Sequence, residues 1–247
     1  MGPSVTLGCV AALAFLVGYA AGGLAAGIVT RLPADAPMFG APLCARCGQP
    51  VTSTAQWLIW ASRCRTCGTP LPWSFHTVRW LGAALAAGAF LRYGISVQAL
   101  AVTLFSLWLL PILWMDWRRH EIYPVTLVPA GALALLLAAF DSLGAVLRAL
   151  AGGILATALF GLFFVIGLLL YRRAALGAGD IFLAGLIGLF VGVHWVMPTL
   201  ILGMALAAIS GLGQLALRLR SRHDFLPYGS YLCVGAMIAL FLWGPAI

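Results

Sequence analysis

With 247 residues, 63% of them hydrophobic and 8% charged, and a mean hydropathy of +1.06, the chain carries more apolar surface than a soluble domain of this size buries. Its formal charge of +8 rests on arginine, with no lysine, and the arginines fall in short loops between apolar runs. That pattern is a topology signal rather than a nucleic-acid footprint, so the class is an all-α polytopic membrane protein with lipid, not nucleic acid, around it.

The first apolar run covers about 5–29 and ends at Thr30-Arg31-Leu32-Pro33. It has no basic region before it and is longer than the core of a signal peptide, so residues 1–32 read as a retained first transmembrane helix. Residues 33–76 are polar and rich in Pro and Gly, too irregular for a span, and read as a small extramembrane domain holding four of the six cysteines. Seven further spans are expected at roughly 77–92, 97–115, 123–140, 145–171, 180–193, 195–217 and 227–245, within a membrane domain covering 77–247. With the first helix that makes eight. The spans at 77–92 and 180–193 are short, and their helices are expected either to extend into the flanking loops or to be covered by neighbours. If the N-terminus is outside, twelve arginines lie on the inner side and only Arg92 and Arg148 on the outer. The bias puts the cysteine domain in the cytoplasm and both termini outside.

Two acids stand where apolar runs meet loops. Asp116 closes the third span in Leu113-Trp114-Met115-Asp116-Trp117-Arg118-Arg119. Asp180 opens the sixth in Gly177-Ala178-Gly179-Asp180, where Gly177 and Gly179 permit a close backbone approach. Carboxylates near hydrocarbon are costly, which makes these two functional candidates. Both fall at the cytoplasmic edge, at one depth. A close pair shares a proton, one member acid and one base, and such a dyad can activate water against a peptide carbonyl. Acids serving a proton-coupled transporter more often sit near the bilayer midplane. The histidines, His76, His120, His194 and His223, are scattered over separate loops and form no metalloprotease pattern, and no nucleophile elbow occurs. Cys9 and Cys233 lie in apolar runs and read as packing residues.

Cys44-Ala45-Arg46-Cys47 and Cys64-Arg65-Thr66-Cys67 are separated by sixteen residues, and each pair is followed by a glycine. Four thiolates at this spacing fit tetrahedral structural zinc, with Cys44, Cys47, Cys64 and Cys67 as ligands and no coordination position left for a catalytic water. A reducing cytoplasm disfavours the alternative of two disulfides. Arg46, Arg63 and Arg65 flank the pairs and read as positive-inside anchors facing lipid headgroups.

Taken in order, these motifs resemble the type IV prepilin peptidases, the GxGD kind of aspartic membrane protease. The resemblance covers most of the chain: Arg31-Leu32-Pro33, the two cysteine pairs, Met115-Asp116 with Ile122-Tyr123-Pro124, Gly177-Ala178-Gly179-Asp180, and Leu226-Pro227-Tyr228-Gly229-Ser230-Tyr231-Leu232, which is similar to the family's Pro-Phe-Gly-Pro-Phe motif. It implies an eight-span fold with a cytoplasmic zinc domain in the inner membrane, and Asp116 and Asp180 as the catalytic pair. It implies cleavage of the basic leader from prepilins or pseudopilins of type IV pilus and type II secretion systems. It also implies, for many members, N-methylation of the new terminus with S-adenosylmethionine. The chain departs from the family at Val125, Phe182 and Arg79, where an acid, a lysine and a glutamate are usual, and an asparagine usual before Arg31-Leu32-Pro33 is absent. A cation at position 79 would repel a sulfonium and a protonated amine, so peptidase activity is expected with weak or missing methyl transfer. The alternative reading is a non-enzymatic membrane assembly factor or a proton-coupled transporter with a zinc-stabilised docking domain.

Overall fold

A computed structural model describes residues 3–52, 62–171, 177–218 and 226–247. Among them are seven α-helices and no strand longer than an isolated bridge: α1 (Pro3–Arg31), α2 (Trp73–Tyr93), α3 (Val97–Arg119), α4 (Pro124–Asp141), α5 (Leu143–Tyr171), α6 (Ala178–Ala216) and α7 (Tyr228–Trp243). By length and composition five are able to cross a membrane: Leu7–Ala34, Val97–Arg119, Pro124–Asp141, Leu143–Leu170 and Ala178–Ala216. Tyr228–Trp243 is shorter and also apolar. The chain divides into two compact units, Met1–Pro111 and Ile112–Ile247, with the division inside α3.

In the first unit α1 packs on α2 through small residues. A methyl group on Gly22 would stand 2.7 Å from the Cα of Arg79, so only glycine admits this approach. The closeness lays Tyr19 over Arg79, whose guanidinium carbon lies 4.0 Å from the Tyr19 ring centre and 5.2 Å from that of Phe75. Arg79 is 1% exposed. Helix α2 starts at Trp73, before the expected span, because Phe75 and Val78 in its first turns are already buried. It ends at Gly94, and Ser96 caps α3 by accepting the Ala99 N–H through its hydroxyl at 3.1 Å.

In the second unit α5 and α6 pack glycine to glycine. Side chains on Gly152 or Gly188 would collide with the opposite backbone. Ser142 separates α4 from α5 and caps α5 through the Ala145 N–H at 3.1 Å. The two spans expected at 180–193 and 195–217 are observed as the single run α6, which is broken at Gly192 (φ 72°, ψ 173°), a conformation that suits glycine. The carbonyl of Phe190, beside the break, accepts the Ala246 N–H at 2.8 Å from the end of the chain.

Candidate active site and metal centre

Asp116 lies three residues from the end of α3 and is 5% exposed. Its Oδ2 accepts two hydrogen bonds from Ser230, the backbone N–H at 2.5 Å and the hydroxyl at 2.8 Å. Ser230 is in the first turn of α7, where backbone N–H groups have no partner within the helix. Asp116 thus caps α7 across a sequence distance of 114 residues, and the positive end of the helix dipole favours its negative charge. The Ser230 hydroxyl also lies 3.0 Å from the Leu113 carbonyl.

Asp180 occupies the first turn of α6 and is half-buried. Its Oδ2 accepts the Gly177 N–H at 3.1 Å, and its own N–H donates to the Gly177 carbonyl at 3.1 Å. The G-x-G-D stretch is therefore a self-capped helix start whose carboxylate is fixed by its own backbone. The charges of Asp116 and Asp180 interact directly, so the structure brings the two residues expected to pair within electrostatic reach.

Ile122, in the turn after α3, links the two carboxylate-bearing ends. A methyl group on Gly179 would fall 2.9 Å from the Ile122 Cβ. One on Gly229 would fall 2.9 Å from its Cδ1 and 3.1 Å from the Asp116 Cγ. The aspartates and the two glycines were legible in the sequence. Ser230 as a partner of Asp116 was not, although the stretch Pro227-Tyr228-Gly229-Ser230 stood out as a motif. Tyr228 lies within electrostatic reach of Asp180, and the buried Cys233, expected as packing, within reach of both aspartates. A cavity of about 220 Å³, lined by Leu113, Trp117, Ser230 and Tyr231 among others, adjoins the site. An apolar groove of about 630 Å³ runs between α4, α5 and α6, and Phe182, two positions after Asp180, is in its wall.

Of the other candidates, His120 adopts a left-handed conformation (φ 57°) that ends α3 and is exposed; Glu121 is also exposed and accepts the Tyr123 hydroxyl at 2.8 Å. Arg79 is packed between aromatic rings in the first unit. His223 and the arginines at 172, 173, 220 and 222 lie outside the described residues.

The cysteine segment forms two knuckles of one design. In the first, the Gly48 N–H donates to the Cys44 carbonyl at 2.9 Å and the Cys44 N–H to the Gln49 carbonyl at 2.9 Å. In the second, the Gly68 N–H donates to Cys64 at 2.9 Å and the Cys64 N–H to Thr69 at 2.8 Å. Gly48 and Gly68 take φ of 71° and 69° to close these turns. The buried Val51 sits between the knuckles, and its carbonyl accepts the Arg65 N–H at 3.0 Å. All four sulfur atoms lie within 4.8 Å of one another, with Cys44 to Cys67 at 3.6 Å and Cys47 to Cys64 at 3.7 Å. Tetrahedral zinc with bonds of ~2.3 Å would hold sulfurs ~3.8 Å apart, so this donor set fits the ion. All four are free thiols. A hydrogen bond between the Cys67 sulfur and the Thr69 hydroxyl, with help from the Thr69 backbone, brings the Cys67 thiol down to about 6. At Cys47 the Gln49 backbone pulls downward, but burial and the neighbouring thiols outweigh it and push the group up to about 11.

Thr30 and Arg31 pin the first knuckle to α1, a role the Arg-Leu-Pro motif alone did not reveal. The Arg31 Nε donates to the Pro37 carbonyl at 2.6 Å and an η nitrogen to Ala41 at 2.9 Å, while the Thr30 hydroxyl accepts the Leu43 N–H at 3.1 Å.

Residues 103–212, which include Asp116 and Asp180, match the type IV leader peptidase family. The chain is 29% identical over 213 residues to a prepilin leader peptidase/N-methyltransferase of Aeromonas hydrophila, covering 83% of this chain and 72% of the relative. It is 29% identical over 195 residues to one from Legionella pneumophila, covering 77% and 66%, and 24% identical over 226 residues to one from Bacillus subtilis, covering 89% and 87%. No solved structure matches it.

Proposed function

We propose, from the match of residues 103–212 to the type IV leader peptidase family, that the chain is a membrane aspartic endopeptidase removing the leader of prepilins or prepilin-like proteins. The observation that carries this reading is two carboxylates within electrostatic reach of each other, each held at a helix N-terminus, Asp116 at α7 and Asp180 at α6, with Ile122 against Gly229 and Gly179 beside them. Two acids in electrostatic contact divide into a proton donor and a proton acceptor, which is what hydrolysis of a peptide by water requires. Neither the assembly-factor nor the transporter reading accounts for this arrangement.

The substrate is a prepilin or pseudopilin with a basic leader followed by an apolar helix. The groove between α4, α5 and α6 would receive the apolar part, with the scissile bond near Asp180. Gly185 and Gly188 face Thr157 and Gly152 of α5 and serve packing within the protein. In the proposed topology the break at Gly192 divides α6 into two of eight spans. Both termini are then outside the inner membrane, and the knuckles and carboxylates are at the cytoplasmic face. Cys44, Cys47, Cys64 and Cys67 would hold one structural zinc ion, which ties together a segment with little core of its own.

The relatives' names join cleavage to N-methylation. Arg79, whose charge was expected to oppose S-adenosylmethionine, is packed against Tyr19 and Phe75 in the first unit and keeps that charge. One experiment reads both activities: the purified protein is incubated with a prepilin, with and without S-adenosylmethionine, and the products are weighed by mass spectrometry. Loss of the leader supports the peptidase and its absence refutes it. A product heavier by one methyl group adds the second activity.

A further inference from the structure

Asp116 and Asp180 differ in how they are held. Asp116 is buried, and one oxygen, Oδ2, takes both donors that Ser230 has to offer. Asp180 takes one backbone N–H from its own helix start. Hydrogen bonds donated to a carboxylate favour its charged form, and they do so more strongly where water is excluded. A hydroxyl carries one proton. The Ser230 hydroxyl is closer to Asp116 Oδ2 (2.8 Å) than to the Leu113 carbonyl (3.0 Å), and the bond to a charged acceptor is the stronger of the two. With two donors aimed at Oδ2, a proton accepted by Asp116 goes to Oδ1.

We infer that Ser230 is a positioning residue which holds Asp116 as the carboxylate, making Asp116 the base that deprotonates water through Oδ1 and Asp180 the acid that protonates the scissile carbonyl oxygen. The inference rests on the dyad reading above. In the first step the water oxygen bonds to the carbonyl carbon and its proton passes to Asp116. The carbonyl π pair moves to oxygen, which takes the Asp180 proton. In the second step the carbon–nitrogen bond breaks, the leaving nitrogen takes the proton from Asp116, and a hydroxyl proton of the tetrahedral intermediate returns to Asp180. One water is consumed, and both side chains end as they began.

The other titratable groups around this pair among the described residues are His120 at the end of α3 and Tyr228 and Cys233 on α7. His120 lies within electrostatic reach of Asp116. Both donors of Ser230 go to Asp116 Oδ2, so its removal should be felt first at Asp116.

The test is the pH dependence of prepilin cleavage, as kcat/KM, by the full-length protein and by Ser230→Ala, Ser230→Thr and Ser230→Pro. Alanine removes the hydroxyl and keeps the N–H. Proline, which a first helical turn tolerates, removes both. Threonine keeps both. Losing a donor makes the base easier to protonate, so activity should fail at a higher pH on the acid side. The acid limb is expected to move up by about one unit in Ser230→Ala and further in Ser230→Pro, with the alkaline limb unmoved and Ser230→Thr resembling the parent. A uniform loss of rate at every pH would show a merely structural role. Movement of the alkaline limb would make Asp116 the acid. Either result overturns the assignment while leaving the dyad in place, whereas cleavage that survives Asp116→Asn would overturn the dyad itself.

Discussion

Gly229 faces the carboxylate of Asp116 so closely that a methyl group on it would stand 3.1 Å from the Asp116 Cγ and 3.1 Å from Oδ2. The same methyl would press on Ile122 at 2.9 Å. Neither neighbour has room to retreat without moving the start of α7 or the Asp116 side chain. Gly229→Ala is expected to lower cleavage on the order of 100-fold, because small misplacements of reacting groups carry rate losses of that size. The protein should remain folded in the membrane. Parent-level kcat/KM in a steady-state assay would show that the site tolerates displacement.

Either Asp116→Asn or Asp180→Asn should abolish cleavage alone, and the double variant should be no worse than the singles, since residues acting as a unit are not additive. Asparagine keeps the shape and can still accept the Ser230 and Gly177 donors, so membrane insertion should be unaffected. Single-turnover assays with a prepilin decide the matter. Substantial cleavage by one single variant would show that the carboxylates do not share the chemistry.

Protein purified without chelator should carry one zinc per chain, and Cys44→Ser or Cys67→Ser should lose it. Zinc needs thiolates, so acid competes with it. Metal release on acidification is therefore expected, as protons displace zinc from the four sulfurs. Elemental analysis across a pH series checks both statements. Absence of zinc at neutral pH would leave the knuckles as free thiols.

Arg79→Ala should destabilise the first unit by about 2–4 kcal/mol, since it removes a side chain held between Tyr19 and Phe75 and leaves a void where it was buried. Thermal unfolding in detergent reads the loss. Methylation measured on the same variant should rise if this cation opposes the cofactor; no rise would remove that role.

What was legible from sequence followed from short-range chemistry. The cysteine spacing, the glycines behind each pair and the acids at the ends of apolar runs need only local rules. The spans expected at 180–193 and 195–217 form one run, α6, and the border between them falls near the break at Gly192. The site's tertiary half did not show. The partnership of Asp116 and Ser230 joins residues 114 apart, and a serine at a helix start is more ordinarily read as serving its own helix. The surroundings of Arg79 did not show for the same reason: only the close approach of α1 at Gly22, unforeseeable from one residue, brings Tyr19 over it.

The break at Gly192 sets a length. From Ala178 to the break the helix bearing Asp180 rises ~21 Å, and the 16 residues of α7, whose start is capped by Asp116, rise ~24 Å. A hydrocarbon core is ~30 Å thick. The helix that bears Asp180 and the helix that Asp116 caps are thus shorter than an ordinary bilayer is thick, and the lipid beside them is expected to thin toward the acids. Thinning would bring headgroups and water down to a pair of side chains that needs one water per turnover. Lipid thickness then becomes a control on rate: in vesicles of shorter-chain phospholipid, cleavage should be faster than in vesicles of longer-chain phospholipid with the same headgroup.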